Sequence, residues 1–127
     1  MDAKIKDYKD LKVWQGGIEI VDKVYDLTEC FPGYENYTLK SQMRRAAISI
    51  PSNIAEGFVR RNNKEYRQFL YVSLGSCAEL DTQFILAGKR KYLKVEVADD
   101  VLRVINIEMR MLKSLILKLD SRLDDNH

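Results

Sequence analysis

The sequence predicts an all-α protein that folds as an up-down-up-down antiparallel four-helix bundle in a single domain, residues 1–127. Apolar residues recur every three or four positions through four long segments, and no segment shows the strict alternation of a strand. The segments are separated by short clusters rich in Pro, Gly and Asn, and short connections favour antiparallel neighbours. Hydrophobic residues make up 46% of the 127 positions, which is enough for a buried core.

The first helix is predicted to begin at Leu11, after a polar segment, residues 1–10, that we expect to be frayed. Two parallel apolar stripes run along it. One consists of Leu11, Trp14, Ile18, Val21, Tyr25 and Thr28, and the other of Ile20, Val24, Leu27 and Phe31. The adjacent Gly16 and Gly17 indicate either a close helix crossing or a local irregularity.

The second helix is predicted over about residues 39–60, with Thr38 as its N-cap and a bend at Pro51. A proline inside a helix removes one backbone donor and clashes with the carbonyl four residues earlier, here that of Ala47. The polar side chains expected to bond the freed carbonyls are Ser49, Ser52 and Asn53. An apolar seam of Ala46, Ala47, Ile50 and Ile54, called the α2 seam below, allows another helix to approach, and Gly57, near the predicted end, is a residue that could end a helix.

Asn62 is predicted to cap the third helix, with Glu65 completing a capping box. The core stripe of this helix is Tyr66, Leu70, Ser73, Cys77, Leu80, Phe84 and Ala87. The fourth helix is predicted to begin near Val95, with a stripe of Leu102, Ile105, Met109, Leu112, Ile116, Leu119 and Leu123. Val97, Val101, Val104, Met111 and Leu115 widen this stripe beyond what one neighbour needs, which favours a subunit interface.

The segment SIPSNIAEG at residues 49–57, preceded by QMRRAAI at residues 42–48, resembles the four-helix-bundle family named for proteins encoded by intervening sequences inside 23S ribosomal RNA genes. The structural motif comprises Ser49, Pro51, Ser52, Asn53, Glu56 and Gly57. Further matches, including LKVWQ at residues 11–15 and YDLT at residues 25–28, extend the resemblance over roughly residues 11–86. The C-terminal third matches only in pattern.

This resemblance implies a bacterial, cytoplasmic, non-enzymatic bundle that assembles into a ring-like homopentamer. The fold is also similar to that of a small accessory protein that helps the reverse transcriptase of diversity-generating retroelements and binds nucleic acid. The partners it implies are further copies of the chain, RNA or DNA, and a protein such as a reverse transcriptase.

The residue types and their spacing argue against a catalytic, metal or cofactor site. The one histidine, His127, is the last residue, which argues against most nucleophilic or general-base arrangements and against Glu-x-x-His iron ligation. Cys30 and Cys77 lack the spacing of a zinc site, and we expect both to be small buried residues. Glu56 and Glu79 are expected to be buried carboxylates bonded to backbone or arginine. We therefore predict no catalytic site, no metal, no cofactor and no membrane span.

The positive charge is concentrated in the middle of the chain: residues 38–61 hold five Lys or Arg and one Glu, although the net charge of the protein is only +2. The candidate contacts to nucleic acid are Arg44, Arg45, Arg60, Arg61, Lys64 and Arg67. Tyr66 and Tyr71 lie among them, and a mixture of cations and aromatic rings suits phosphates and bases. The same arginines also suit salt bridges between subunits, so a nucleic-acid-binding protein and a structural adaptor for another protein both stay open.

Overall fold

The computed structural model describes the backbone of residues 5–125 and the side chains of residues 5–121. Residues 1–4, the side chain of Leu123 and His127 lie outside this part. The described chain forms four helices, α1 (Lys12–Thr28), α2 (Leu39–Phe58), α3 (Asn63–Lys89) and α4 (Val95–Asp125). Two short 3-10 helices, Tyr8–Asp10 and Gly33–Glu35, precede α1 and α2, and no strand occurs within residues 5–125. The all-α prediction is confirmed.

Each helix packs against two others, with α2 and α4 both lying between α1 and α3. Side-chain contacts join Ser49 with Ser76, Gly57 with Phe69, Arg67 with Asp120, and Asp81 with Asn106. In each pair of helices the residue numbers rise along one helix as they fall along the other. An antiparallel order of the helices requires contacts of this kind.

The core is filled by the periodic positions that the sequence indicates in α2 and α3. Every residue of the α2 seam is buried, and so is the predicted α3 stripe from Leu70 to Ala87. In α1 the true core face is Val13, Gly17, Ile20, Val24 and Thr28. Ile18 and Tyr25 are about 40% exposed, so the first predicted stripe of α1 is wrong in part. Only one face of α1 can be buried, because the helix has two neighbours, α2 and α4, and its opposite side is open to solvent.

The surplus apolar residues of α4 mostly serve the chain's own core. Val101 is buried, and Val104, Met111 and Leu115 pack against the core cluster. The width of the stripe follows from the position of α4, which has two neighbours, α1 and α3. The stripe by itself therefore no longer argues for a subunit interface.

The helix α2 continues through Pro51, which is buried. The predicted bend stays a prediction. Asn53 Nδ2 donates to the carbonyl of Ser49 at 2.8 Å, and Ser73 Oγ of α3 donates to the carbonyl of Ile50 at 2.9 Å. Side chains therefore bond carbonyls beside Pro51, but none of the described side chains bonds that of Ala47, and Ser52 points to solvent.

The local signals at helix ends have mixed outcomes. Asn62 accepts from the Glu65 backbone at 2.8 Å, as its predicted capping role requires. Thr38 occupies the N-cap position of α2 but caps nothing, because its hydroxyl donates to Glu35 instead. Cys77 is buried as expected, whereas Cys30 is exposed, with its thiol near the carbonyl of Leu27.

Gly57 does not end α2, which continues to Phe58. An added Cβ at Gly57 would lie 2.7 Å from Phe69 Cβ and 3.1 Å from the Tyr66 carbonyl. The distance to Phe69 Cβ is shorter than van der Waals contact between two carbon atoms allows. The glycine is therefore required by the close approach of α3, and not by the backbone conformation of a helix end.

Candidate nucleic-acid interface

The structure divides the six predicted cations into two groups near opposite ends of α2. Arg44 and Arg45 lie in its second turn, whereas Arg60, Arg61, Lys64 and Arg67 lie around the α2–α3 turn. Fifteen residues of rise separate Arg45 from Arg60, which corresponds to about 22 Å of helix. A single chain therefore does not bring these residues into one compact site.

Arg44 joins α2 to the C-terminal end of α1. Its Nε donates to Thr28 Oγ1 at 3.0 Å, and its Nη2 donates to the Tyr25 carbonyl at 3.2 Å and to Glu29 Oε2 at 3.0 Å. The guanidinium also lies 4.3 Å from the centroid of the Tyr25 ring. Since its Nε and Nη2 donors are already used within the chain, Arg44 is first of all a structural residue.

Arg45, the next residue, points away from the core and makes no hydrogen bond or ion pair with the described residues. It lines a surface groove between α1 and α2 with a volume of 530 Å³, called the α1–α2 groove below. The lining residues are Tyr25, Asn36, Lys40, Ser41, Arg44, Arg45 and Ile48. They include three cations, of which Arg44 is paired with Glu29, so Lys40 and Arg45 give the groove its net positive charge beside neutral hydrogen-bonding groups.

The group at the α2–α3 turn is also half neutralised by ion pairs within the chain. Arg60 pairs with Glu56 at 2.7 Å and lies over the Phe69 ring, and Arg67 pairs with Asp120 of α4 at 2.7 Å. Arg61 and Lys64 are exposed and make no ion pair with the described residues. Two of these four cations are therefore available to an external phosphate without breaking an existing pair.

The two tyrosines expected among the cations differ in exposure. Tyr71 is 51% exposed and could stack on a base. Tyr66 instead packs edge-on against Phe58, with ring centroids 6.0 Å apart and its hydroxyl buried without a partner. Burial raises the pKa of Tyr66 to about 12. Tyr66 is therefore part of the helix packing, and its role as a stacking residue is not supported.

The residues of the SIPSNIAEG motif form a contact between helices. Ser49 Oγ accepts from Ser76 Oγ at 2.8 Å and from Asn53 Nδ2 at 2.9 Å, and Pro51 lies against Gly17 of α1. Glu56 is exposed and paired with Arg60, so the prediction of a buried carboxylate at this position is wrong. Glu79 is exposed as well, and that prediction is also wrong.

The buried carboxylate is Glu108 of α4, which the sequence reasoning missed. Its side chain is 1% exposed, and neither carboxylate oxygen has a hydrogen-bond partner among the described residues. Glu108 lies three residues after Ile105 and four before Leu112, both buried, so helical register places it on the core face. An acidic residue at a core position was the signal that could have revealed it.

The described residues, 5–125, contain no group of three or more His, Cys, Asp or Glu side chains that could hold a metal ion. Within the same part of the chain, no helix has an apolar stretch long enough to cross a bilayer.

The family model of the 23S rRNA-intervening sequence protein matches residues 9–114. The chain belongs to this family. The match confirms the resemblance seen in the SIPSNIAEG segment and extends it into α4, where the sequence showed only a pattern. The comparison of this chain with curated proteins found no match.

Among solved structures, the chain is similar to a protein of unknown function from the S23 ribosomal protein family of Bacteroides thetaiotaomicron. The TM-score is 0.76, with 18% identity, over 82% of this chain and 97% of the other. At this identity the likeness shows a shared helical fold.

Proposed function

We propose that this member of the 23S rRNA-intervening sequence protein family is a non-enzymatic homo-oligomer that binds nucleic acid through the α1–α2 groove. The observation that carries the proposal is the lining of this groove, in which Lys40 and Arg45 make no ion pair with the described residues and Arg44 is the one cation paired with a carboxylate, that of Glu29. The sequence-independent part of nucleic-acid binding comes from cations that neutralise phosphates.

The groove supplies two further kinds of contact. Asn36 and Ser41 add neutral polar groups that can bond phosphate or sugar oxygens. Arg44 is held in place by Thr28, Tyr25 and Glu29, so its position is fixed before a ligand arrives. A cation held in this way loses little further conformational entropy on binding.

Self-association is supported by large apolar side chains that the chain leaves exposed. These include Ile48, Val72, Ile85, Leu86, Val95 and Leu117, each 42–68% exposed. Ile48 lines the α1–α2 groove, so a neighbouring subunit placed there would lie beside the cations. A closed ring would repeat the groove once per subunit and strengthen a weak site through multivalency. The pentameric number, the cytoplasmic location and a reverse transcriptase as partner stay predictions from the family resemblance.

The test is fluorescence anisotropy with labelled single strands and duplexes of about 20 nucleotides or base pairs, measured over a range of salt concentrations. For a single strand, each neutralised phosphate contributes about −0.7 to the slope of log affinity against log salt. The double variant Lys40→Gln with Arg45→Gln is expected to make the slope shallower by about 1.4. Arg44 is left unchanged, because its loss would disrupt the packing of α1 on α2.

Two control variants locate the site. Lys113→Gln with Lys118→Gln removes the same charge from exposed positions on α4 and is expected to leave the slope unchanged. Arg61→Gln with Lys64→Gln tests the α2–α3 turn, and a change seen only there would move the site to that turn. Failure of the parent protein to bind either ligand at low salt would contradict nucleic-acid binding.

That last outcome would favour the second candidate function, an adaptor that binds another protein. The specific observation behind this alternative is the outer side of α3, where Tyr71, Val72, Ile85 and Leu86 are 46–51% exposed. These residues form two exposed apolar pairs about 20 Å apart along the helix, and exposed apolar patches of this kind can mark interaction surfaces.

A further inference from the structure

Glu108 is a buried carboxylate with no hydrogen-bond partner among residues 5–121, and the other acidic side chains of that range are exposed or half-buried. Both of its oxygens have almost no surface open to solvent, and no cation or backbone donor among the described residues bonds them, so a ligand reaches them only when the end of the side chain turns into the adjoining cleft. A charged group in this position loses its hydration without compensation, which is costly unless the group takes up a proton or meets an opposite charge.

The surroundings of Glu108 form a cleft between α1 and α4 with a volume of 210 Å³. The lining residues are Gly16, Glu19, Ile20, Val104, Ile107, Glu108 and Met111. Two carboxylates and four apolar side chains are thus present without a single cation. Gly16 makes the arrangement possible, because a Cβ at that position would overlap Glu108 Oε1.

The groups that face Glu108 from the neighbouring helices favour a positive charge in the cleft. Glu19 lies on the α1 side, and the buried thiol of Cys77 lies on the α3 side. Burial, with the nearby Glu19, raises the pKa of Glu108 to about 8. Burial, with Glu108 and Asp81, raises the pKa of Cys77 to about 12, so the thiol stays neutral.

We propose that the α1–α4 cleft is a binding site for an organic cation, a primary ammonium or guanidinium group whose charge pairs with Glu108. The cleft, at 210 Å³, is smaller than the pockets of about 300–1,000 Å³ that hold drug-sized molecules, so it suits a cation with only a few non-hydrogen atoms. The walls of the cleft are apolar and suit an alkyl stem; they consist of Ile20, Val104, Ile107 and Met111. Glu19 is exposed and can pair with the same cation from the α1 side. The cation is either that of a free small molecule or a side chain of a second copy of this chain.

The first experiment titrates the protein with n-butylammonium by calorimetry, using uncharged n-butanol as the control of the same shape. Binding is expected for n-butylammonium alone. Below pH 8 its affinity is expected to rise about tenfold per pH unit, because Glu108 must release its proton when the cation binds. Glu108→Gln is expected to weaken binding by tenfold or more, whereas Glu79→Gln, at an exposed carboxylate on α3, should leave it unchanged.

The second experiment compares the self-association of the parent and Glu108→Gln proteins by sedimentation equilibrium. Association weakened tenfold or more in the variant identifies a side chain of a second copy as the cation, and unchanged association with a positive titration identifies a free molecule. Circular dichroism of each variant checks that its helices are intact. Glu19→Gln, at an exposed position, is a milder test, and it is expected to weaken the binding of n-butylammonium about threefold.

The proposal is overturned if the parent protein does not bind n-butylammonium and Glu108→Gln also leaves self-association unchanged. It is equally overturned if n-butylammonium binds the parent and the Glu108→Gln variant with the same affinity, because the cation then lies elsewhere.

Discussion

The adjacent glycines of α1 face two different helices and make two different contacts. Gly17 faces Pro51 of α2, where an added Cβ would lie 3.2 Å from the Cβ, Cδ and N atoms of the proline. Gly16 faces Glu108 of α4, and an added Cβ would meet the end of that side chain. The Gly17 contact confirms that the glycine pair allows one close helix crossing, whereas at Gly16 only the ends of side chains approach the backbone.

The two contacts differ in how their polar groups are satisfied. Beside Pro51, the hydroxyls of Ser49, Ser73 and Ser76 and the amide of Asn53 all take part in hydrogen bonds at 2.8–2.9 Å. Beside Gly16, both oxygens of Glu108 lack partners. A contact with complete hydrogen bonding is suited to hold helices together, whereas an unsatisfied buried charge lowers stability and is a marker of a binding site.

The largest expected effect is on the pH dependence of stability. The folded-state pKa of Glu108 is raised above its ordinary value of 4.5 to about 8, so the folded protein binds a proton that the unfolded chain releases. Stability contributed by this group is present below about pH 4.5 and is lost as the pH rises to about 8, by about 3–5 kcal/mol. Urea unfolding at fixed protein concentration should show this loss in the parent and not in Glu108→Gln. The same pH dependence in both proteins would contradict the raised pKa.

A smaller loss is expected for Gly17→Ala, about 2–3 kcal/mol in the free energy of unfolding. The atoms that the new methyl group meets belong to a rigid ring and to the backbone of α2, and neither can move without shifting the helix. Thermal and urea unfolding measure the change. A variant as stable as the parent would show that α1 and α2 can separate slightly at no cost.

Ser73→Ala tests one hydrogen bond of the Pro51 contact. Its hydroxyl bonds the Ile50 carbonyl from the neighbouring helix, so its removal is expected to lower stability by about 1 kcal/mol. Thr82→Ala is a matched control, because the Thr82 hydroxyl makes an exposed bond to the Ala78 carbonyl within α3. The control should change stability by less than about 0.5 kcal/mol. Equal losses in both variants would show that the hydrogen bond at the Pro51 contact stabilises the protein no more than an exposed one does.

The smallest effect on stability is expected for Gly16→Ala, within about 1 kcal/mol, because alanine gains about as much in helix propensity as the displaced side chain costs. The end of the Glu108 side chain can move away, unlike the ring of Pro51. Its carboxylate should then reach solvent, and the pH dependence of unfolding should become weaker than in the parent. A destabilisation as large as that of Gly17→Ala would mean that the carboxylate cannot move.

The sequence by itself determined the four helices, the α3 stripe and the α2 seam. These features depend on residues close together in the chain, since helical periodicity places every third or fourth residue on one face. The SIPSNIAEG segment also pointed to the family, because its mixture of proline, small and polar residues is unusual inside a helix.

Only the tertiary structure decided which polar and small residues serve packing and which serve binding. Arg44 and Arg45 are neighbours in the sequence, yet Arg44 bonds α1 while Arg45 points to solvent, because one step along a helix turns the side chain by about 100°. Gly57 ends no helix because its role is set by Phe69 of α3. Glu108 matters because Gly16 of another helix leaves space for its carboxylate, and no cation of the described residues pairs with that carboxylate. Contacts between residues so far apart in the chain carry no local signal, since they depend on where the helices meet.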